Sequence, residues 1–358
     1  MMKNRVGILR LNQSPQLRDQ IACVIAKAMD LNAFFFRPQD VDFTTNTIQG
    51  MHFHDEQWIV GTQSFPDVIY NHLPIGKNHK DTFIRLAQSI PFTTHRIGNK
   101  NVVLKRLQND SEFSEFLVPS YTVKSSIEVF RLIEKYRKVV FKPANGKQGR
   151  RIYTIEAEDV QDNTFLFKEV THTMEFNRDR LKARIIDELN LNPMIIQPFI
   201  ESKTIHGHSF CMRVHVAKAS RGKWKLIRYF PYVSNNNKET VSHISHGAFA
   251  TTRLDIFMKQ NFPSNYKDIS RKITRFAKLF PPYFESYYKY PLDALGIDMG
   301  VTKNGGIYIY EVNSLPGTRY VEFQAEYAAM QYCKYLANHH NKKLKHGLYL
   351  DSKGNSVY

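Results

Sequence analysis

Apolar and polar positions along the chain alternate between two periods. Val6–Leu11 is a short apolar run of strand type. In Gln16–Met29, Leu17, Ile21, Val24, Ile25 and Ala28 recur at helical spacing. Ala33–Phe36, Trp58–Val60 and Asp67–Tyr70 read as further strands, so the first part of the chain predicts an α/β layer. Helical stretches follow at Asn101–Asn109 and Ile127–Tyr136, the second behind the capping signal Ser125-Ser126 with Glu128. Val139–Phe141, Ile152–Ile155, Met194–Ile200, Phe210–Lys218 and Trp224–Pro231 read as strands, and Arg178–Leu189 as a basic helix. Tyr266–Phe280 carries Ile269, Ile273, Phe276 and Leu279 on one helical face, and Pro281-Pro282 is expected to end it. A last helix is expected over Arg319–Asn338 and a frayed tail over Ser352–Tyr358.

The most informative pattern is Leu295–Gly317, in which two apolar strand-like runs flank Asn304-Gly305, a hairpin signal. A two-residue loop there places Asp298 opposite Glu311, with Asn313 on the face of Glu311. Opposed Cβ atoms lie roughly 5 Å apart, so the two carboxylates repel unless a cation joins them. Carboxylate and amide oxygens suit a hard ion such as Mg²⁺. The turn Asn313-Ser-Leu-Pro-Gly317 follows at once.

Composition narrows the setting. The 358 residues allow two or three domains, and no run reaches the ~18 apolar residues of a transmembrane helix. The start of the chain lacks a signal-peptide cleavage pattern, and three scattered cysteines without C-x-x-C suggest no disulfide framework, so a cytoplasmic setting is expected. A net charge of +17 fits a polyanionic partner, and fits equally a soluble protein rich in basic residues. Neither G-x-G-x-x-G after the first strand nor G-x-x-x-x-G-K-[ST] anywhere is present. Asn145, Gly146, Lys147, Gln148 and Gly149, with Arg150 and Arg151, form instead a basic glycine loop after the strand that ends at Lys142, able to bring backbone N–H groups and charge to phosphate. His206/His208 and His243/His246 lack a completing acid or cysteine at ligand spacing.

Taken in order, Asn99-Lys100, Phe141-Lys142-Pro143 with its glycine loop, Gln197-Pro-Phe-Ile-Glu201, Met212-Arg213-Val214, Gly296-Ile-Asp298 and Glu311-Val-Asn313-Ser-Leu-Pro-Gly317 form a set that resembles the ATP-grasp superfamily. More narrowly it resembles the YheC/YheD endospore coat-associated family, from about residue 95 to about 338. The resemblance implies an α+β ATP-grasp fold of the α/β class. An N-terminal α/β domain (1–94) would precede two subdomains (95–195 and 196–340) that sandwich the nucleotide, with a tail over 341–358. It implies ATP and two Mg²⁺ ions as cofactors. Lys100 and Lys142 would meet phosphate oxygens, the loop Asn145–Arg151 would close over the triphosphate, and Gln197, Pro198, Phe199, Ile200 and Glu201 would read adenine and ribose. Arg213 would face phosphate and, with Lys142, be catalytic; Asp298, Glu311 and Asn313 would hold metal; Arg228, Ser314 and Gly317 would meet substrate. Cys211 stands where many relatives carry aspartate, and Ser242-His243 where relatives often show Ser-Asn.

The implied activity is an ATP-dependent carboxylate–amine or carboxylate–thiol ligase in a cytoplasmic, mother-cell or spore-coat setting, its two substrates unnamed. The alternative is a coat protein of the same fold with weak or no turnover, binding an anionic partner. Sequence-specific nucleic-acid binding is disfavoured, because no RRM, helix-turn-helix or zinc-finger pattern is present.

Overall fold

The computed structural model describes residues 4–72, 77–108, 112–144, 151–159, 164–169, 172–235, 248–339 and 347–348. Three sheets organise them. The first holds the strands β1 (Arg5–Leu9), β2 (Asn32–Phe36), β3 (Val41–Asp42), β4 (Thr47–His54), β5 (Gln57–Ser64) and β6 (Val68–Asn71) in the order β3-β4-β2-β1-β6, with β5 hydrogen-bonded to β4. β1 runs parallel to β2 and β6, with helix α1 (Leu17–Ala28) crossing over between β1 and β2. The stretch Trp58–Val60 departs from the alternating α/β expectation. It lies in an antiparallel β4–β5 hairpin whose β5 strand pairs only with β4 off the main path of the sheet and leaves Ile59 and Val60 exposed. Helix α2 (Lys80–Ala87) buries Phe83 and Leu86 beneath this sheet with Phe34 and Phe92.

Helix α3 (Lys100–Gln108) leads to the second sheet, which is antiparallel. It comprises β7 (Tyr121–Val123), β8 (Lys138–Pro143), β9 (Tyr153–Asp159), β10 (Thr164–Glu169), β11 (His172–Asn177) and β12 (Met194–Pro198), ordered β11-β10-β9-β8-β12-β7. Two helices, α4 (Ser126–Tyr136) and α5 (Arg178–Leu191), cover one face. α4 starts where the capping signal places it: Ser125 Oγ accepts the Glu128 amide at 3.3 Å, and Glu128 returns to accept the Lys124 amide at 2.7 Å. α5 is capped by Asn177, which accepts from the Arg180 amide at 2.9 Å.

The third sheet has the order β15-β14-β13-β16-β17, built from β13 (Phe210–Lys218), β14 (Trp224–Val233), β15 (Phe249–Ala250), β16 (Ala294–Val301) and β17 (Ile307–Ser314). Phe249-Ala250, expected as loop, pairs with β14; His243 and His246 lie outside the described residues. Met212, Val214 and Val216 of β13 and Leu295, Ile297, Met299 and Val301 of β16 face the largest core, where the helices α6 (Leu254–Asn261) and α7 (Tyr266–Glu285) pack. α7 corrects the expected stop: it runs through Pro281 and Pro282. Proline in a helix interior costs about 3 kcal/mol, by deleting a donor and crowding the preceding turn. Here Phe276, Phe280 and Phe284 stack at 4.7 and 5.3 Å centroid spacing in full burial, and each buried phenyl returns about 1.5–3 kcal/mol. Helix α8 (Glu322–Asn338) starts three residues later than expected, after Tyr320 adopts positive φ. It then packs Met330, Tyr332, Cys333 and Leu336 against Val6, Ile8 and α1 of the first sheet, tying the chain's two ends together.

Phe280→Ala is expected to destabilise the protein by about 3–5 kcal/mol in chemical denaturation, since it both opens a cavity and removes the stack that carries α7 past its prolines. A loss under 1 kcal/mol would contradict that role.

Candidate active site

The β16–β17 hairpin does not use a two-residue turn. Gly305 N donates to Thr302 O at 2.8 Å, Thr302 N donates to Gly306 O at 2.9 Å, and Gly305 takes φ +78°. The turn is therefore Lys303-Asn304-Gly305, and taken alone it would put Asp298 opposite Tyr310. A bulge between Asp298 and Met299 leaves Tyr310 as an extra residue and restores Asp298 opposite Glu311 and Gly296 opposite Asn313. The expected pairing is thus reached by two offsetting departures. The bulge also exchanges faces along β17. Ile307 and Ile309 point to the core before it and Val312 after it, which turns Glu311 and Asn313 to the opposite side. Gly300 leaves room for the Tyr310 side chain, whose hydroxyl a Cβ at that position would strike.

Charge gathers on that outward face. Arg213 pairs in register with Asp298 and donates twice to it, Nε to Oδ1 at 2.6 Å and Nη2 to Oδ2 at 3.0 Å. Burial opposes the arginine charge, but Asp298 outweighs burial and keeps the guanidinium firmly protonated. Lys100, at the start of α3, meets Glu311 at 2.9 Å. Each acid of the pair therefore has a cation of its own. Asn313, one alternation beyond Glu311, is half-buried on the same face. The resulting donor set, two carboxylates and an amide oxygen on adjacent strands, has the hard-oxygen chemistry that Mg²⁺ takes. For an ion to bind, Arg213 and Lys100 must give up part of their hold.

Beside these charges lies a cleft between the second and third sheets, floored by α3. Lys100, Lys142, Gln197 and Glu311 line it together with apolar Leu104, Leu107, Ile195 and Ile309. Lys142 sits on β8 opposite Ile195 of β12. Burial and then the nearby Lys100 press its ammonium down to about 8, while Glu311 resists. An anion beside the two lysines would restore Lys142 to full charge. Cys211 lies two residues before Arg213 on β13; burial, followed by Asp298, holds its thiol well above the usual range, so it stays protonated and is a poor nucleophile.

Other expected residues are placed differently. Of the Gln197–Glu201 segment only Gln197 lines the cleft. Pro198 ends β12, Phe199 N donates to Lys138 O at 3.0 Å, Ile200 O accepts from Ser202, and Glu201 is exposed. Arg228 turns toward the sheet edge, donating to Thr252 O at 2.8 Å. Ser314 ends β17 opposite Leu295, and Gly317 is exposed with open space where a Cβ would stand. Asn145, Gly146, Lys147, Gln148 and Gly149 lie outside the described residues, while Arg151 at the loop's end pairs with buried Glu188 at 2.6 Å. Sequence reasoning missed the apolar lining. Its signal was the helical spacing of Leu104 and Leu107 in α3, which carries more apolar residues than one core face needs.

Comparison with known proteins bears on these positions. The model of a family described as YheC/D-like ATP-grasp matches residues 89–338. The chain belongs to that family. The match includes every site residue named above, from Lys100 to Gly317. The endospore coat-associated protein YheD of Bacillus subtilis (strain 168) is 23% identical over 322 residues, covering 85% of this chain and 70% of that protein. YheC of the same organism is 20% identical over 342 residues, covering 86% and 89%. Among solved structures, a Chryseobacterium gregarium RiPP-associated ATP-grasp ligase in complex with ADP and a leader and core peptide superposes with TM-score 0.51 at 15% identity, covering 92% of this chain and 97% of that one. The ADP complex of N5-carboxyaminoimidazole ribonucleotide synthetase gives TM-score 0.51 at 14% identity, covering 92% and 77%. Both likenesses are of fold, and the fold of this chain is mixed α/β ATP-grasp.

Lys100→Met should move the Lys142 ammonium up from about 8 toward 10.5, since it removes a like charge and frees Glu311. The pH dependence of amine modification at Lys142 reports this. In the wild type the depressed value means that this group adds stability as pH rises from about 8 through 10.5, where the unfolded chain still holds the proton. An unchanged Lys142 would show that its environment is set by burial alone.

Proposed function

We propose that the protein is a Mg²⁺-dependent ATP-grasp ligase that joins a carboxylate to an amine, or to a thiol, through an acyl phosphate. The observation that carries this reading is the meeting of Lys100, Lys142 and Glu311 in one apolar-walled cleft, with Asp298 and its partner Arg213 on the strands beside Glu311. The apolar wall takes adenine, and Gln197 beside it offers backbone and amide groups to the base edge. Lys142 and Lys100 meet the phosphates. The loop Asn145–Arg151 would close over them, with Ile196–Glu201 as the hinge between the two sheets that would grip the nucleotide. Asp298, Glu311 and Asn313 would hold Mg²⁺, which when bound offsets charge on the β- and γ-phosphates.

In the first step a carboxylate oxygen of the substrate attacks the γ-phosphorus. The bond to the bridging oxygen breaks and ADP leaves with that electron pair. In the second, the amine attacks the acyl carbon, phosphate departs and the amine proton is lost. The protein supplies no nucleophile; it supplies in-line placement and cations where negative charge moves. Arg213, released from Asp298, would turn toward the transferring group, and Lys142 would regain full charge against phosphate. Arg228, Ser314 and Gly317 would meet the substrates, Arg228 only after leaving the Thr252 carbonyl it now holds.

Kinship with coat-associated proteins and the net charge of +17 favour a second reading, in which the same fold binds an anionic partner of the coat with little turnover. For either reading a setting in the mother cell or spore coat is the proposed one. Among the described residues no helix is long and apolar enough to cross a membrane.

An ADP-release screen over amino acids, short peptides and cell-wall precursors separates the two readings. The ligase reading expects turnover with one pair of substrates, and losses of about 100-fold or more in Lys142→Ala and in Glu311→Ala. It also expects no turnover after chelation of divalent ions. Full activity in either variant would contradict the assignment.

A further inference from the structure

The outward face of the third sheet continues past the phosphate end into a second, smaller chamber. Arg213 and His215 are two residues apart on β13 and project to the same side, with their Cα atoms about 7 Å apart. His215 and Ala217 line the chamber from the sheet, Leu315 and Thr318 from the turn after β17, and Arg18 and Tyr70 from the first sheet and its helix. A positive φ at Leu315 and the glycine at 296 allow that turn to fold back: a Cβ at Gly296 would lie 2.7 Å from Pro316.

The polar groups around this space are not all accounted for by one another. His215 is buried, yet its Nδ1 has no hydrogen-bond partner among the described residues. Burial, then Arg213 and Arg18, push it down to about 3, so the ring is neutral and has one N–H to donate. Arg18 gives Nε and Nη2 to Glu326 Oε1 at 3.0 and 2.7 Å, and Nη2 also to the Tyr70 hydroxyl at 2.7 Å. The guanidinium is thereby fixed in orientation, and Nη1 is left over among the described residues. A buried pair of this kind brings little net stability compared with apolar packing, so a tether between α1 and α8 does not by itself explain its presence. Nor does a tether explain a neutral imidazole beside it whose buried Nδ1 has no partner among the described residues.

We propose that this chamber seats a non-reacting carboxylate of a small substrate, held by Arg18 Nη1 and the His215 ring, so that the substrate's other end reaches the phosphate end at Arg213. The inference rests on the ligase reading, whose phosphate end lies on the same sheet face. A single carboxylate suits the space better than a phosphate group. Asp293 and Lys218 also line the chamber, Lys218 already paired with Glu285, and the buried Glu326 carboxylate has one oxygen, Oε2, without a partner among the described residues. A dianion would be repelled by these acids, whereas a monoanion is offset by Arg18. The substrate is therefore expected to carry a carboxylate in addition to its reacting group, as amino acids and short dicarboxylic acids do.

Calorimetric titration of glycine, alanine, succinate and inorganic phosphate into the whole protein, with and without Mg·AMP-PCP, tests this. At least one of the three carboxylates should bind at millimolar affinity or better. His215→Leu should weaken that binding tenfold or more while leaving Mg·AMP-PCP affinity within twofold. Arg18→Lys, which keeps the charge opposite Glu326 but loses the fork, should weaken it similarly, with thermal melting confirming that both variants fold. The proposal is overturned if none of the carboxylates binds, if phosphate binds in preference to them, or if His215→Leu binds them as the wild type does. Failure of Mg·AMP-PCP to bind would count against the ligase reading instead, and the titrations without nucleotide would still decide the chamber.

Discussion

Asp298 and Glu311 face one another across β16 and β17, and the organisation of the site follows from the charge they place there. Opposed acids on adjacent strands repel each other unless cations lie close by. The fold brings two from different directions, Arg213 from the neighbouring strand β13 and Lys100 from helix α3. Arg213 can make its bidentate contact because it is in register with Asp298. Lys100 reaches Glu311 because α3 packs Val103 and Leu107 into the same core as β17. The site is thus neutralised from within. Its two cations are also the groups that could turn to phosphate once a metal ion takes over the acids.

That arrangement explains why the cleft lies where it does. β17 is at the edge of the third sheet, with α3 beside it and β8 and β12 of the second sheet across a gap. Apolar side chains from all three line the gap, and charged groups stand at one end of it. Lys142 is held at about 8 by burial and by Lys100, a value that an arriving anion would raise. On the far side of Arg213 the same strand leads to His215 and the chamber under the first sheet. The charged centre and the chamber therefore lie along one face of the third sheet, with the cleft at its β17 edge, and α8, anchored to the first sheet, closes the far end.

Much of this was legible in the sequence because local chemistry and fold agree. The cap at Ser125, the paired strands Phe210–Lys218 and Trp224–Pro231, the second of which runs on to Val233, and the Asp298–Glu311 pairing all follow from short-range pattern. The pairing came out as expected although its turn did not. Gly305 closes a three-residue turn, and the Tyr310 bulge compensates. The clue was the apolar set Ile307, Ile309 and Val312, whose spacing changes phase at the bulge. Pro281-Pro282 misled, since the aromatic stack that outweighs the prolines is tertiary and the prolines are local. Arg18 with Glu326, and His215 with its surroundings, could not be read from sequence. They join positions far apart in the chain, and their environment exists only after α8 has docked.

The proposed function turns on one exchange, in which Asp298 and Glu311 would give up their protein cations, Arg213 and Lys100, for metal when nucleotide binds. A crystal structure with Mg·AMP-PCP tests it most directly. The predicted result is the base between α3, Ile195 and Ile309, metal on Asp298, Glu311 and Asn313, and Lys100 and Arg213 turned to phosphate oxygens. Nucleotide bound elsewhere, or bound with the Arg213–Asp298 and Lys100–Glu311 pairs intact and no metal on the acids, would contradict it.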